Sequence, residues 1–185
     1  MNAGHPTTGG ADDDGVVRAV GPVVVMGVSA SGKSTVGHAL ADRLGVPFVD
    51  GDALHPAANV EKMRAGIALD DDDRAPWLDR VGETLAEGSE SEAAGIVVAC
   101  SALRRAYRDR ILRAAPGTRF VHLDVDEAAL AERASTREGH FMPPSLLASQ
   151  LAALERLDED EPGIAVDADA PVDATVDAAV AWLTA

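Results

Sequence analysis

One short stretch of the chain has the residue types and spacing that hold the phosphates of a nucleotide. Residues 27–34 read GVSASGKS and fill all four fixed positions of the pattern G-x4-G-K-S/T. Gly27 and Gly32 leave room for backbone N–H groups to surround phosphate oxygens, and the helix that follows adds the positive end of its dipole. Lys33 is placed to contact the β- and γ-phosphates, and the Ser34 hydroxyl to ligate Mg²⁺. The predicted nucleotide-binding residues are those of this loop and the next hydroxyl: Gly27, Val28, Ser29, Ala30, Ser31, Gly32, Lys33, Ser34 and Thr35.

Two carboxylates, Asp50 and Asp52, follow a short predicted strand on either side of Gly51. Open α/β sheets bind their ligands at the carboxyl ends of the strands. Transfer of a phosphoryl group to a hydroxyl needs a base near that hydroxyl and a metal on the phosphate oxygens. We therefore predict that Asp52 is the base and that Asp50 is an outer-sphere Mg²⁺ ligand. The alternative is that both aspartates only form the turn around Gly51.

The overall charge restricts the partners of the chain. With 16 basic and 31 acidic residues the formal charge is −15, which disfavours binding to nucleic acid or to an anionic membrane. We expect neither as a partner, and any anionic substrate must be held by a local group of cations. The single cysteine, Cys100, excludes a disulfide framework, and no segment is long and apolar enough to span a membrane. These features predict a cytoplasmic protein.

Several polar side chains near the predicted strand ends are candidates for binding a substrate. A substrate carboxylate needs a bidentate cation, which Arg74, Arg104 or Arg105 can supply. The last two begin a basic helical pattern over residues 103–113, whose C-terminal half is expected to be solvated. Lys62 is one of only two lysines, although a solvated lysine is the alternative, and each candidate histidine is equally well explained as structural. The predicted substrate-binding residues are Asp52, His55, Lys62, Arg74, Ser101, Arg104, Arg105 and His140.

An arginine-bearing segment over residues 133–144 is predicted to be a mobile lid. It contains Gly139 and two consecutive prolines, which are typical of a loop. Arginines that close over a transferring phosphate supply much of the rate in phosphoryl transfer. We assign Arg133 to nucleotide binding and Arg137 to catalysis, together with Lys33 and Asp52. The alternative is a passive surface loop.

The remaining pattern predicts one α/β domain over residues 21–185, preceded by a disordered tail over residues 1–20. Short apolar runs alternate with segments of helical periodicity, which argues for a parallel sheet covered on both faces. The predicted strands are residues 23–26, 47–49, 95–100, 120–123 and 164–166. The predicted helices are residues 33–44, 55–63, 75–87, 103–113, 126–134, 146–157 and 172–183.

These residues carry a resemblance to a known family. The segments GVSASGKSTVG, DGDALHPAANVEKMRAG, LDDDDRAPWL, CSALRRAYRDRIL and REGHFMPPSLLASQ together resemble gluconokinases, in the shikimate-kinase-like branch of P-loop kinases. The resemblance implies a five-stranded parallel sheet in the order 2-3-1-4-5 with flanking helices and a lid. It implies transfer of phosphate from ATP, with Mg²⁺, to D-gluconate, giving 6-phospho-D-gluconate. The chain departs from the family pattern at Ala30, where glycine is usual, and at residues 68–70, where Pro-Leu-Asn is usual.

Two other functions stay open at this point. One is a related P-loop kinase that acts on shikimate or a nucleoside, which the block of residues 55–78 disfavours. The other is a non-catalytic nucleotide-binding regulator, which has no need of a base beside an acceptor. A homodimer is compatible with the sequence, which does not determine the oligomeric state.

Overall fold

In the computed structural model, which describes residues 20–136 and 144–185, five parallel strands form a sheet. They are β1 (Gly21–Met26), β2 (Phe48–Asp50), β3 (Gly95–Ala99), β4 (Arg119–Asp124) and β5 (Gly163–Asp167). Their order across the sheet is β2-β3-β1-β4-β5, which confirms the order that the resemblance implies. Because every pairing is parallel, all five carboxyl ends meet at one edge of the sheet. The predicted tail up to residue 19 and residues 137–143 of the predicted lid lie outside the described residues.

The helices lie close to the predicted segments, with differences at their ends. They are α1 (Lys33–Leu44), α2 (Ala57–Arg64), α3 (Asp71–Ser89), α4 (Arg105–Ala114), α5 (Glu127–Thr136), α6 (Pro144–Ala153) and α7 (Val172–Thr184). A short 3₁₀ turn, Gly51–Leu54, follows β2.

The start of α3 was predicted four residues too late. Asp70 caps the helix by accepting from the backbone N–H of Asp73, and the Asp73 carboxylate accepts in return from the N–H of Asp70. This reciprocal capping box satisfies two of the free N–H groups of the first turn. The acidic run at residues 70–73 therefore caps and begins the helix.

The end of α6 was predicted four residues too late, and the start of α4 two residues too early. The chain leaves α6 after Ala153, and the Glu155 backbone N–H donates to the Leu103 carbonyl at 2.8 Å. The Glu155 carboxylate accepts from the Arg105 backbone N–H at 2.7 Å, so it satisfies the first turn of α4 from outside the helix. These two contacts join the segment after α6 to the loop after β3, and they fix both helix ends.

The core lies on both faces of the sheet, as predicted. Side chains of β1 point alternately to the two faces, with Val23 and Val25 packed towards α1 and α7, and Val24 and Met26 towards α3 and α4. All four are fully buried. Continuous apolar strands of this kind are expected where helices cover both faces of a parallel sheet. No helix in the described part of the chain has the length and apolarity to cross a membrane.

The middle of the basic helix α4 contradicts the expectation of a solvated face. Arg108 is completely buried, and its guanidinium forms an ion pair with the carboxylate of Glu161 at 2.5 and 2.7 Å. It also donates to backbone carbonyls of the loops before α4 and after α6. A buried arginine needs this full set of acceptors, because an uncompensated buried charge costs about 3–5 kcal/mol. The contacts hold the segment between α6 and β5 against α4.

Candidate active site

The loop between β1 and α1 has the backbone conformation of a phosphate cradle. Gly27 (φ 148°) and Gly32 (φ 94°) both adopt positive φ, and a Cβ on Gly27 would lie 2.8 Å from the Ser31 Oγ. Ala30, which stands where the family usually has glycine, also has positive φ (65°), a strain of roughly 1–2 kcal/mol for a residue with a Cβ. The Gly27 N–H donates to the carbonyl of Ser101, just after β3, at 3.3 Å. The loop is therefore anchored to the neighbouring strand end.

The helix start after the loop brings a cation and a hydroxyl to the end of β2. Lys33 Nζ donates to the Val28 carbonyl at 2.9 Å, so the ammonium lies over the loop. Ser34 Oγ donates to Asp50 Oδ2 at 2.8 Å, and Asp50 Oδ1 accepts from the Asp52 backbone N–H at 3.0 Å. The predicted metal ligands Ser34 and Asp50 are thus in direct contact. The base candidate Asp52 lies two residues further along and donates its backbone N–H to Asp50.

The donors of this loop fit a magnesium–nucleotide ligand. Ser31 Oγ is buried, and it has no hydrogen-bond partner within the described parts of the chain. The same described residues contain no cluster of three or more His, Cys, Asp or Glu side chains that would hold a metal alone. Mg²⁺ in kinases is typically bound by one or two protein oxygens together with substrate phosphates and water. The pair Ser34 and Asp50 matches that arrangement, in which the remaining ligands come with the nucleotide.

The position of Asp52 depends on a close backbone contact at Gly51. A Cβ on Gly51 would lie 2.3 Å from the Ala99 carbonyl, so only glycine lets the turn approach β3 this closely. The Gly51 carbonyl accepts from Trp77 Nε1 at 2.7 Å, and the Trp77 ring stacks on His55 with centroids 4.2 Å apart. Burial lowers the pKa of His55, against the charge of Asp52, which raises it. His55 is therefore uncharged at neutral pH and can exchange hydrogen bonds with hydroxyls.

The thiol of Cys100, directly after β3, is strongly affected by its burial. Burial raises the pKa of the Cys100 thiol to about 12, against a backbone hydrogen bond at Ala102 and the charges of Lys33 and Arg74, which act to lower it; the charge of Asp52 acts to raise it. Cys100 is therefore a buried, protonated thiol.

A cleft of about 560 Å³ is lined by Arg74 and by Gln150, which contacts the P-loop. Its cations are Arg74 and Arg104, whose guanidinium carbons lie 5.8 and 5.7 Å from the centroid of the Tyr107 ring. Arg104 Nη1 contacts both carboxylate oxygens of Asp71 at 3.0 Å, and Tyr107 Oη donates to the same carboxylate at 2.5 Å. Arg74 Nε donates to the Leu69 carbonyl at 3.3 Å. Two oriented guanidinium groups in one cleft suit an acceptor that carries a carboxylate.

Two predicted substrate residues have other partners in the structure. Lys62 on α2 donates to both carboxylate oxygens of Asp73 at 2.6 and 2.7 Å, which raises the pKa of Lys62 and lowers that of Asp73. Arg105 forms ion pairs with Asp158 and Asp160 on the loop before β5, which raise its pKa. Neither side chain lines the 560 Å³ cleft. Any role for them in binding stays a prediction.

Of the predicted lid residues, the structure describes Arg133 but not Arg137 or His140. Arg133, on α5, donates to the Ala168 carbonyl at 3.0 Å and to Asp169 at 3.2 Å. Asp169 also lines a second cleft of about 450 Å³, rich in acidic side chains, at the carboxyl ends of β4 and β5. Arg133 therefore lies beside the β5 end of the sheet, on the other side of the P-loop from β2.

Sequence reasoning missed some of the side chains that build the cleft. Tyr107 was not among the predicted site residues, yet it lines the cleft and its hydroxyl donates to Asp71. Its position as the only tyrosine, within the run RRAYR, was a usable signal. Gln150 on α6 lines the same cleft and accepts a hydrogen bond from the P-loop. No local pattern marks Gln150, because it reaches the loop only through the fold.

Known proteins resemble this chain over most of its length. Residues 23–157 match the model of a family described as an AAA domain. A gluconokinase from Gluconobacter oxydans (strain 621H) is 53% identical over 78% of this chain and 80% of its own. The crystal structure of a gluconokinase from Sinorhizobium meliloti 1021 superposes with a TM-score of 0.81, at 50% identity, over 90% of this chain and 93% of that one. A shikimate kinase from Aquifex aeolicus vf5 has a TM-score of 0.57 over 88% of this chain and 96% of its own, but at 18% identity it shows only the shared fold. The match over residues 23–157 shows that the chain carries this AAA domain. At about 50% identity over most of both chains, and with a P-loop on the same fold, it belongs to the gluconokinase family.

Proposed function

We propose that this protein transfers the γ-phosphoryl group of ATP to D-gluconate, giving ADP and 6-phospho-D-gluconate. The observation that carries the proposal is the cleft with Arg74 and Arg104, which Gln150 joins to the P-loop, in a chain 53% identical to a gluconokinase. The cleft offers two guanidinium groups to a substrate carboxylate, and Asp52, on the turn after β2, is the proposed base. That pairing is what phosphorylation of a sugar acid at a hydroxyl requires.

The nucleotide side would be formed by the P-loop and Lys33. Backbone N–H groups of the loop and the N-terminus of α1 bind phosphate oxygens, and Lys33 turns from the Val28 carbonyl towards the β- and γ-phosphates. Ser34 and Asp50 would hold Mg²⁺, Ser34 directly and Asp50 through water. When bound, Mg²⁺ neutralises part of the charge on the β- and γ-phosphate oxygens.

The acceptor side would be formed by Asp52, His55 and the two arginines of the cleft. Arg74 and Arg104 bind the gluconate carboxylate, and the uncharged His55 exchanges hydrogen bonds with its hydroxyls. Asp52 takes the proton of the acceptor hydroxyl as that oxygen bonds to the γ-phosphorus. The bond from the γ-phosphorus to its bridging oxygen breaks, and ADP leaves with the bond's electron pair.

An ADP-release assay over a panel of acceptors tests this proposal. The purified protein is given Mg-ATP with D-gluconate, other sugar acids, shikimate or nucleosides, and kcat/KM is compared between acceptors. We expect D-gluconate to give the highest value by at least about tenfold, because the cleft pairs guanidinium groups with a carboxylate. A preference for shikimate or a nucleoside would replace gluconate as the substrate. No ADP release with any acceptor would favour a nucleotide-binding regulator.

Three further expectations accompany this function. We propose that the reaction takes place in the cytoplasm, which fits the use of ATP and a lone, buried cysteine. Arg133 and Arg137 are proposed to act on the nucleotide phosphates, which is supported only by their types and spacing. Light scattering tests the homodimer, which has twice the chain mass of 19.1 kDa.

A further inference from the structure

Gln150 on α6 contacts both the P-loop and the acceptor cleft. Its Oε1 accepts a hydrogen bond from the backbone N–H of Ser29 at 2.7 Å, across 121 positions of the chain. Its side chain is half-buried and lines the cleft together with Arg74, Arg104 and Tyr107. A single side chain therefore joins the nucleotide loop to the space where the acceptor binds.

The contact with Ser29 fixes which way the Gln150 amide faces. A backbone N–H can only donate, so the atom opposite it must be the carbonyl oxygen of the glutamine and not its nitrogen. The amide is planar, and its NH₂ group therefore points away from Ser29 with two donors. Because Gln150 lines the cleft, these donors are offered to a ligand that occupies it.

The kind of ligand atom follows from the neighbouring charges. The cleft contains two guanidinium groups, which match a substrate carboxylate in geometry, together with the carboxylates of Asp70, Asp71 and Asp72. The Gln150 amide is neutral and adds no charge to the cleft. Its N–H groups can donate to a hydroxyl on a carbon of the acceptor, but not to a hydrogen in the place of that hydroxyl. Such a site rejects an analogue that lacks the hydroxyl, because the amide is then left unpaired.

We propose that Gln150 binds the sugar acid directly, with Oε1 held by Ser29 and Nε2 donating to one hydroxyl oxygen of the acceptor other than the one phosphorylated. The inference rests on the proposed function and adds a residue that sets the acceptor's position relative to the phosphates. The same side chain touches the loop and the acceptor, so it fixes the distance between donor and acceptor. Small errors in that distance cost a large part of the rate.

Two variants of Gln150 separate the roles of its two polar atoms. Gln150→Leu removes both, while Gln150→Glu keeps an acceptor for the Ser29 N–H but loses the donors and adds a negative charge facing an anionic substrate. We expect kcat/KM for gluconate to fall about tenfold in the first and about a hundredfold in the second, with the KM for ATP changed less than about threefold. Ala152→Glu is the matched control, since it adds the same charge to an exposed position of the same helix. It should change kcat/KM by less than about twofold.

A set of singly deoxygenated gluconates, one for each hydroxyl that is not phosphorylated, supplies the decisive measurement. For the analogue that lacks the hydroxyl bound by Gln150, the kcat/KM values of wild type and Gln150→Leu should agree within about twofold. The reason is that the partner hydroxyl is absent from both complexes. An equal loss with every analogue, or no loss with gluconate, would overturn the direct contact and leave Gln150 a structural residue. If the wild-type protein does not phosphorylate gluconate, the proposed function is overturned as well. If the wild-type protein is active but Gln150→Leu loses the same factor in kcat/KM with every analogue, only the inference about Gln150 is refuted.

Discussion

The two sides of the active site are built in different ways. The phosphate side is made largely from the backbone of one continuous stretch, residues 27–34, between β1 and α1. The proposed acceptor side is made from side chains of the cleft between α3, α4 and α6, with Asp52 on the turn after β2. A backbone site is encoded by local glycines and can be identified from a few consecutive residues. A side-chain cleft exists only after the fold has brought distant segments together.

Removing the ammonium of the P-loop is the most severe test of the phosphate side. We expect Lys33→Ala to lower kcat by at least about a thousandfold while the protein stays folded, because no loop side chain replaces its charge on the γ-phosphate. ADP release and circular dichroism measure the two properties. Arg43→Ala removes a positive charge from an exposed ion pair on the same helix and serves as the control. Normal turnover by a folded Lys33→Ala protein would refute the P-loop assignment.

Removing the basicity of Asp52 probes the point where the two sides meet. We expect Asp52→Asn to lower kcat by roughly two to four orders of magnitude with the KM for ATP little changed, because the amide keeps the shape of the side chain but cannot take the proton. Steady-state kinetics with both substrates varied measures this. If ATP affinity falls and kcat is kept, Asp52 belongs to the metal site and Asp50 becomes the better base candidate.

Neighbouring arginines of the basic segment should differ on the acceptor side. We expect Arg104→Ala to raise the KM for gluconate roughly 10- to 100-fold, because a charge-assisted contact with the carboxylate is lost. Arg105→Ala should raise it less, because Arg105 does not line the cleft and its guanidinium is directed to Asp158 and Asp160. Arg110→Ala, which breaks a surface pair with Asp79, is the control on the same helix. A larger effect at Arg105 than at Arg104 would mean that the cleft rearranges when the acceptor binds.

The smallest expected effect concerns the pH dependence of stability on the acceptor side. Burial lowers the pKa of His55, so the folded state resists its protonation. The resulting stability is present above the unfolded pKa of about 6.5 and is lost as pH falls through the lower folded pKa. Between pH 7 and pH 5 the Tm of wild type should therefore fall about 1–3 °C more than that of His55→Gln. The variant His38→Gln, which replaces an exposed histidine, is the control, and its Tm should fall as much as that of wild type. If Tm changes equally with pH in all three proteins, His55 does not contribute to the pH dependence of stability.

The sequence predicted the sheet, its order and the phosphate loop because those features depend on local pattern and on a family resemblance. Apolar runs mark buried parallel strands, and the loop glycines are needed where the structure has positive φ. Helix ends were less predictable, since Glu155 fixes both the end of α6 and the start of α4 through contacts that no local pattern contains. The same reason explains why Arg108 was expected to be solvated and why Gln150 was not identified. Both depend on partners about 50 to 120 positions away.

The buried Arg108 has a consequence for the order in which the chain folds during synthesis. Its carboxylate partner, Glu161, follows 53 positions later, and the carbonyls of residues 155 and 156 are nearly as distant. At about 5–20 residues per second a ribosome needs roughly 3 to 10 s to cover that interval. During this time the phosphate loop is complete in sequence, whereas the cation of Arg108 lacks its carboxylate partner and can reach only the carbonyls of Ala102 and Leu103. We expect chains that end before residue 161 to be cleaved by proteases around α4, and full-length chains to resist.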